Sequence, residues 1–142
     1  MGESDFTPEI VVLHCKQSVA EPKRLPCVAR ESGRSGLQFR LIPCSGKIQL
    51  PHLLRMLEAG DDGILVFACP EKNCRTLEGS SRVQRRIEYA RELLDQAGVS
   101  PGRLALVRGK EMGAEEALKR VDEFAGAILK LGPNPVKGVG AK

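Results

Sequence analysis

The chain has 142 residues, of which 42% are apolar and 28% charged, with a formal net charge of +4. That composition suits one globular domain able to bury roughly two-thirds of its unfolded surface, and the charge is too small to argue for nucleic acid by itself. One Tyr, four Phe and no Trp speak against base-stacking platforms, and no apolar stretch approaches the ~20 residues of a membrane span.

The start, MGESDFTPEI, is acidic and lacks an apolar signal core, so a cytoplasmic protein is expected. Five cysteines in a reducing compartment point to metal binding or redox work before disulfides.

Residues 1–8 read as a flexible lead. Glu9 to Leu13 is the first strand, running into His14-Cys15. Lys16 to Gly36 holds Pro22, Pro26, Gly33 and Gly36 and reads as a loop, with short helical turns at Val19-Ala20 and Val28-Ala29. It also opens a basic stretch: Lys16, Lys23, Arg24, Arg30, Arg34 and Arg40 face only Glu21 and Glu31. A solvated loop is the commoner meaning of such a run, and a docking face for an acidic partner is the sharper one.

Leu37 to Ile42 is the second strand, leaving through Pro43-Cys44-Ser45-Gly46. A helix from about Gln49 to Ala59 carries Leu50, Leu53, Leu54 and Leu57 on one face. Pro51 suits its first turn and Gly60 its C′ position. Asp61-Asp62-Gly63 turns into Ile64-Leu65-Val66-Phe67, an uninterrupted apolar run stopped by Ala68-Cys69-Pro70. Such a run suits a strand buried on both faces, and Pro70 cannot extend a ladder.

Ser80 and Ser81 are candidate N-caps for a long helix ending at Gly98, with Val83, Ile87, Ala90, Leu94 and Ala97 as its buried stripe. Pro101-Gly102 leads to a fourth strand, Leu104 to Val107. A last helix over 114–131 places Leu118, Val121, Ala125 and Ile128 inward and stops at Gly132-Pro133. Residues 133–142 read as a flexible tail. The fold class is therefore α/β: a single three-layer domain over 9–132, with a four-stranded, mainly parallel sheet and helices on both faces.

Three apolar strands finish on or beside a cysteine. In a parallel sheet Cys15, Cys44, Cys69 and Cys74 converge on one edge, and the carboxyl edge of an open α/β sheet is where ligands bind. Four thiolates suffice for an iron–sulfur cluster or a zinc ion. Any one of them could instead be a small buried hydrophobe. Cys69-x4-Cys74 supplies a pair, while the C-x2-C pairs of many zinc sites are absent. Cys27, between Pro26 and Val28, is a fifth thiol that could reach the same edge. Alternation along the strand turns His14 away from Cys15 and makes it structural rather than a ligand. No GxGxxG, P-loop, HExxH or GxSxG occurs, and no nucleophile–base–oxyanion set is complete, so no catalytic residue is assigned.

From Arg40 to about Val107 the chain resembles the delta, or iron–sulfur, subunit of methyl-viologen-reducing hydrogenase. The resemblance rests on Cys44-Ser45-Gly46, the junction from Glu58-Ala59-Gly60 to Asp62-Gly63-Ile64, Cys69 to Cys74 followed by Glu78-Gly79, and Arg85-Arg86. It implies a non-catalytic electron-transfer subunit with a [2Fe–2S] cluster on Cys15, Cys44, Cys69 and Cys74, and Cys27 as a possible substitute ligand. It also implies a hydrogenase or another electron-donating enzyme as one partner and a heterodisulfide-reductase A-like flavoprotein as the other. The family pattern has more thiols near the first strand; here His14 and Ser18 stand at two of those places. The alternative is a cluster-free adaptor of the same kind of complex.

Overall fold

A computed structural model describes residues 8–15, 18–20, 23–33, 36–42, 49–68, 79–109 and 112–134, with side chains at 79–82 left out. Four strands, β1 (Ile10–Cys15), β2 (Leu37–Ile42), β3 (Gly63–Ala68) and β4 (Leu104–Arg108), form one sheet in the order β2-β1-β3-β4. All three neighbouring pairs are parallel, so the sheet is wholly rather than mainly parallel. The helices are α1 (Leu25–Glu31), α2 (Leu50–Glu58), α3 (Gly79–Gln96) and α4 (Ala114–Leu131).

The apolar runs of β1 and β3 are buried along their whole length, as strands covered on both faces must be. Alternation divides their side chains between two cores. Val11, Leu13, Ile64 and Val66 pack with Leu53 and Leu57 of α2 and with Val83, Ile87, Ala90 and Leu94 of α3. Ile10, Val12, Leu65 and Phe67 pack on the other side with Leu25 and Ala29 of α1 and with Leu118, Val121, Phe124 and Ile128 of α4. Gly63 lets α4 approach: a Cβ there would lie 2.8 Å from Phe124 Cε2 and 2.9 Å from Ile128 Cδ1.

The helical turn expected at Val28-Ala29 is part of a longer helix, α1, which runs through residues expected to be loop. Pro26 opens it rather than interrupting it, because a first-turn proline gives up an N–H that has no intrahelical partner. Leu25 and Ala29, four residues apart, then share the buried face. The turn expected at Val19-Ala20 is not helical: Val19 makes an isolated parallel bridge to Met112. Gly60 takes φ 112° just past α2, and Gly98 at φ 82° ends α3 so that Val99 N donates to Leu94 O at 2.8 Å. The helix α3 begins at Gly79, ahead of the expected caps at Ser80 or Ser81.

At the amino ends of the strands, Asp62, Arg103 and Asn134 are buried together. Asp62 Oδ2 accepts from Glu9 N at 2.8 Å and Oδ1 from Asn134 N at 2.9 Å. Asn134 Nδ2 donates to the carbonyls of Leu57 and Asp61, both at 2.8 Å. Arg103 donates to Asp62 O at 3.0 Å, Gly132 O at 2.8 Å and Pro133 O at 3.0 Å. Burial disfavours the charged form of Arg103, and the Asp62 carboxylate favours it. The chain past α4 is thus held to the body through Asn134, which the sequence reading places in the tail. Residues 135–142 and 1–7 lie outside the described residues. No helix among the described residues is long and apolar enough to cross a membrane.

Candidate metal centre

From β1 the chain moves outward to β2, then returns across β1 to β3 and on to β4. The connections diverge at this point: α1 lies on one face and α2 on the other. Open α/β sheets form a crevice at such a switch point, outside the carboxyl ends of the two central strands.

The three strands around the crevice end level. Cys15 and Ile42, the last residues of β1 and β2, are register partners. Leu13 pairs with Val66, each two residues before the end of its strand. In the sequence Cys44 follows the end of β2 by two residues and Cys69 follows the end of β3 by one. Cys44, Cys69 and Cys74 lie outside the described residues, as do Ser45, Gly46 and Pro70. Among the described residues no group of three or more His, Cys, Asp or Glu could hold a metal ion.

Cys15 is 3% exposed and ends the central strand beside the switch. Its surroundings are polar on one side. Ser18 Oγ donates to Cys15 O at 2.9 Å and accepts from Cys15 N at 3.1 Å. The Cys15 thiol donates to Ser18 Oγ at 3.4 Å. Ser18 N and Val19 N also donate to Cys15 O, closing a tight turn directly after β1. That turn is tied to the far side of the site: Met112 N donates to Ser18 O at 3.0 Å and Ala20 N to Met112 O at 2.8 Å. Gly109 N, just beyond β4, donates to Ala68 O at 2.9 Å. Beyond β4, Gly109 therefore bonds the end of β3, and Met112 holds the chain that leaves Cys15.

A soft thiolate ligand at a strand end, buried and with its backbone oxygen satisfied by a neighbouring hydroxyl, fits the donor chemistry of an iron–sulfur centre. Ser18, marked in the sequence only as standing at a family thiol position, closes the turn after β1 through its hydroxyl. Its signal was local: a serine three residues past a strand end commonly turns its hydroxyl onto the preceding backbone.

His14, 1% exposed, lies edge-on to Phe39 at 6.3 Å between ring centroids. Phe39 belongs to the α1/α4 core, so the imidazole occupies the face that alternation assigns to it. Its Nδ1 has no hydrogen-bond partner among the described residues, and burial holds its pKa below the ordinary 6.5. Cys27 is exposed on the first turn of α1, and no hydrogen bond links it to Cys15 among the described residues.

A model of the family described as methyl-viologen-reducing hydrogenase, delta subunit, matches residues 10–132, from the first residue of β1 to the end of α4. The chain belongs to this family. The vhu iron-sulfur subunit of the F420-non-reducing hydrogenase of Methanocaldococcus jannaschii is 26% identical over 130 residues, covering 92% of this chain and 97% of that protein. The iron-sulfur subunit of the F420-non-reducing hydrogenase of Archaeoglobus profundus is 29% identical over 132 residues, covering 91% and 94%. The A-type subunit of the ferredoxin:CoB-CoM heterodisulfide reductase of Methanosarcina mazei is 27% identical over 90 residues, which are 63% of this chain but 11% of that protein. A segment similar to 63% of this chain is thus part of a much longer polypeptide. Membership of the family places the chain among the subunits of redox complexes rather than with stand-alone hydrolases or nucleic-acid modules.

Proposed function

We propose that this delta-family chain is a cytoplasmic electron-transfer subunit holding a [2Fe–2S] cluster through Cys15, Cys44, Cys69 and Cys74. It links an electron-donating enzyme, a hydrogenase or another dehydrogenase, to a heterodisulfide-reductase A-type flavoprotein, and performs no bond chemistry itself. The observation that carries the reading is the level ending of β2, β1 and β3, with Cys15 on the central strand. Neighbouring strands lie about 4.8 Å apart and each further residue reaches at most ~3.6 Å, so the chain positions of Cys44 and Cys69 are compatible with one site beside Cys15.

When bound, such a cluster supplies a one-electron carrier whose potential depends on hydrogen bonds to its sulfurs and on exclusion of water. The protein's own contribution at Cys15 is burial and the Ser18 turn, which fixes the strand end from which the thiol projects. The flavoprotein partner is supported by the similarity to part of the A-type subunit of heterodisulfide reductase. A hydrogenase donor is supported by the similarity to hydrogenase iron-sulfur subunits.

One observation favours the cluster-free adaptor instead. The His14 ring and the Ser18 hydroxyl, at two places where the family pattern carries thiols, are both committed to the fold. Mixing separates the readings. With donor enzyme and flavoprotein present, the anaerobically prepared chain is expected to accelerate flavin reduction, and the Cys69→Ala variant is not. Equal acceleration by both would leave the adaptor as the function.

A further inference from the structure

β2 is an edge strand: β1 pairs with one side of it, and no strand among the described residues pairs with the other. The helix next to it in sequence, α2, packs on β3 and α3 and leaves the adjoining face of β2 open. Between α2 and β2 runs a groove of about 560 Å³. Leu13, Ile42 and Met56 give it an apolar floor, while Arg40, Arg55 and His52 supply cationic and hydrogen-bonding groups. Among the described residues Arg40 reaches only the neutral Gln38, at 3.1 Å. The Arg55 and His52 side chains make no hydrogen bond or ion pair with the described residues, and all three are exposed. Asp61 is the acidic residue at the groove's lower end.

The groove has a direction. Ile42, at its upper end, is the register partner of Cys15. A molecule lying in it is therefore one strand away from the candidate cluster ligand. The second cleft, against β4, is lined by Glu88 as well as Arg91 and Arg108, and Arg108 is already hydrogen-bonded to Gln84. Its charge is mixed, and one of its two basic groups is engaged.

We propose that the α2–β2 groove is the docking surface for the flavoprotein partner, through a segment carrying carboxylates beside an apolar side chain. The apolar side chain fills the floor over Leu13 and Met56, and the carboxylates meet Arg40 and Arg55. An extended segment can also pair with the free backbone edge of β2, since strand addition draws its affinity from main-chain hydrogen bonds. Charge complementarity selects the occupant. Arginine pairs carboxylates in two-toothed fashion, and an open groove on a strand edge suits a polypeptide better than an enclosed small ligand. This assignment rests on the partner proposed above.

The test is calorimetric binding of the full chain to the heterodisulfide-reductase A-type flavoprotein encoded in the same genome. Three forms are compared: wild type, Arg40→Glu/Arg55→Glu, and Arg85→Glu/Arg91→Glu on α3. The substituted side chains are exposed, and unchanged unfolding transitions confirm the fold; Arg40→Ala/Arg55→Ala is the milder pair. Wild-type affinity is expected to fall as salt is raised. The groove pair is expected to weaken binding about tenfold or more, and the α3 pair by less than about threefold. Wild-type binding that survives both groove pairs unchanged, or falls only with the α3 pair, overturns the groove. Absence of wild-type binding overturns the partner reading and the groove assignment with it.

Discussion

Asp62→Ala is expected to destabilise the protein by about 3–5 kcal/mol, the scale for losing two hydrogen bonds to a charged group at about 1.5–3 kcal/mol each. Asp62 is 0% exposed, and its carboxylate holds the backbone amides of Glu9 and Asn134. Arg103, 2% exposed, is the cation it favours. Alanine removes the carboxylate that one buried and one part-buried backbone amide donate to, and with it the negative charge that favours the buried Arg103 guanidinium. Domains of this kind are stable by only about 5–15 kcal/mol, so the loss is a large fraction of the whole. Asp62→Asn keeps the shape and one carbonyl acceptor, and about 1–3 kcal/mol is expected. Denaturant unfolding reads both. An Asp62→Ala midpoint equal to wild type would show that the cluster of Asp62, Arg103 and Asn134 does not hold the strand ends to the chain beyond α4.

The second large effect is all-or-none. Cys15→Ala, Cys69→Ala or Cys74→Ala is each expected to abolish the visible absorption of anaerobically prepared protein, because a [2Fe–2S] centre held by four thiolates does not tolerate a methyl group in place of one. Cys27→Ser is expected to keep it, since Cys27 is exposed on α1 and outside the level strand ends. The two sets together distinguish ligation from general sensitivity to cysteine loss. Unchanged iron content in Cys69→Ala and Cys74→Ala would remove those residues from the ligand set. Loss of iron in Cys27→Ser would bring the α1 thiol into it.

Much of this fold can be read from the chain because period-two and period-3.6 patterns coincide with burial. The unbroken run from Ile64 to Phe67 announces a strand covered on both sides, and both cores divide it by alternation. Leu53 and Leu57, and Leu118, Val121 and Ile128, sit on the faces their spacing predicts. What the patterns hide is set by other forces. Pro26 looks like a loop residue because proline's meaning depends on whether it falls in the first helical turn or later. Asn134 looks like tail because nothing local announces burial; its partner Asp62 lies 72 residues away. The strand-end position of Cys15 was legible from the sequence, since it needs only parallel strands. The Ser18 turn has a local signal in the serine itself, but its tie to Met112 joins segments 94 residues apart, which no local pattern carries.

The most direct test of the cluster assignment is iron and acid-labile sulfide analysis of the anaerobically purified, reconstituted chain, with an EPR spectrum of the dithionite-reduced sample. About two irons and two sulfides per chain with a [2Fe–2S] signal are expected from four thiolates at the carboxyl edge. A folded chain that takes up no iron, with its strands and cores intact, would contradict the electron-transfer account and leave the adaptor in its place.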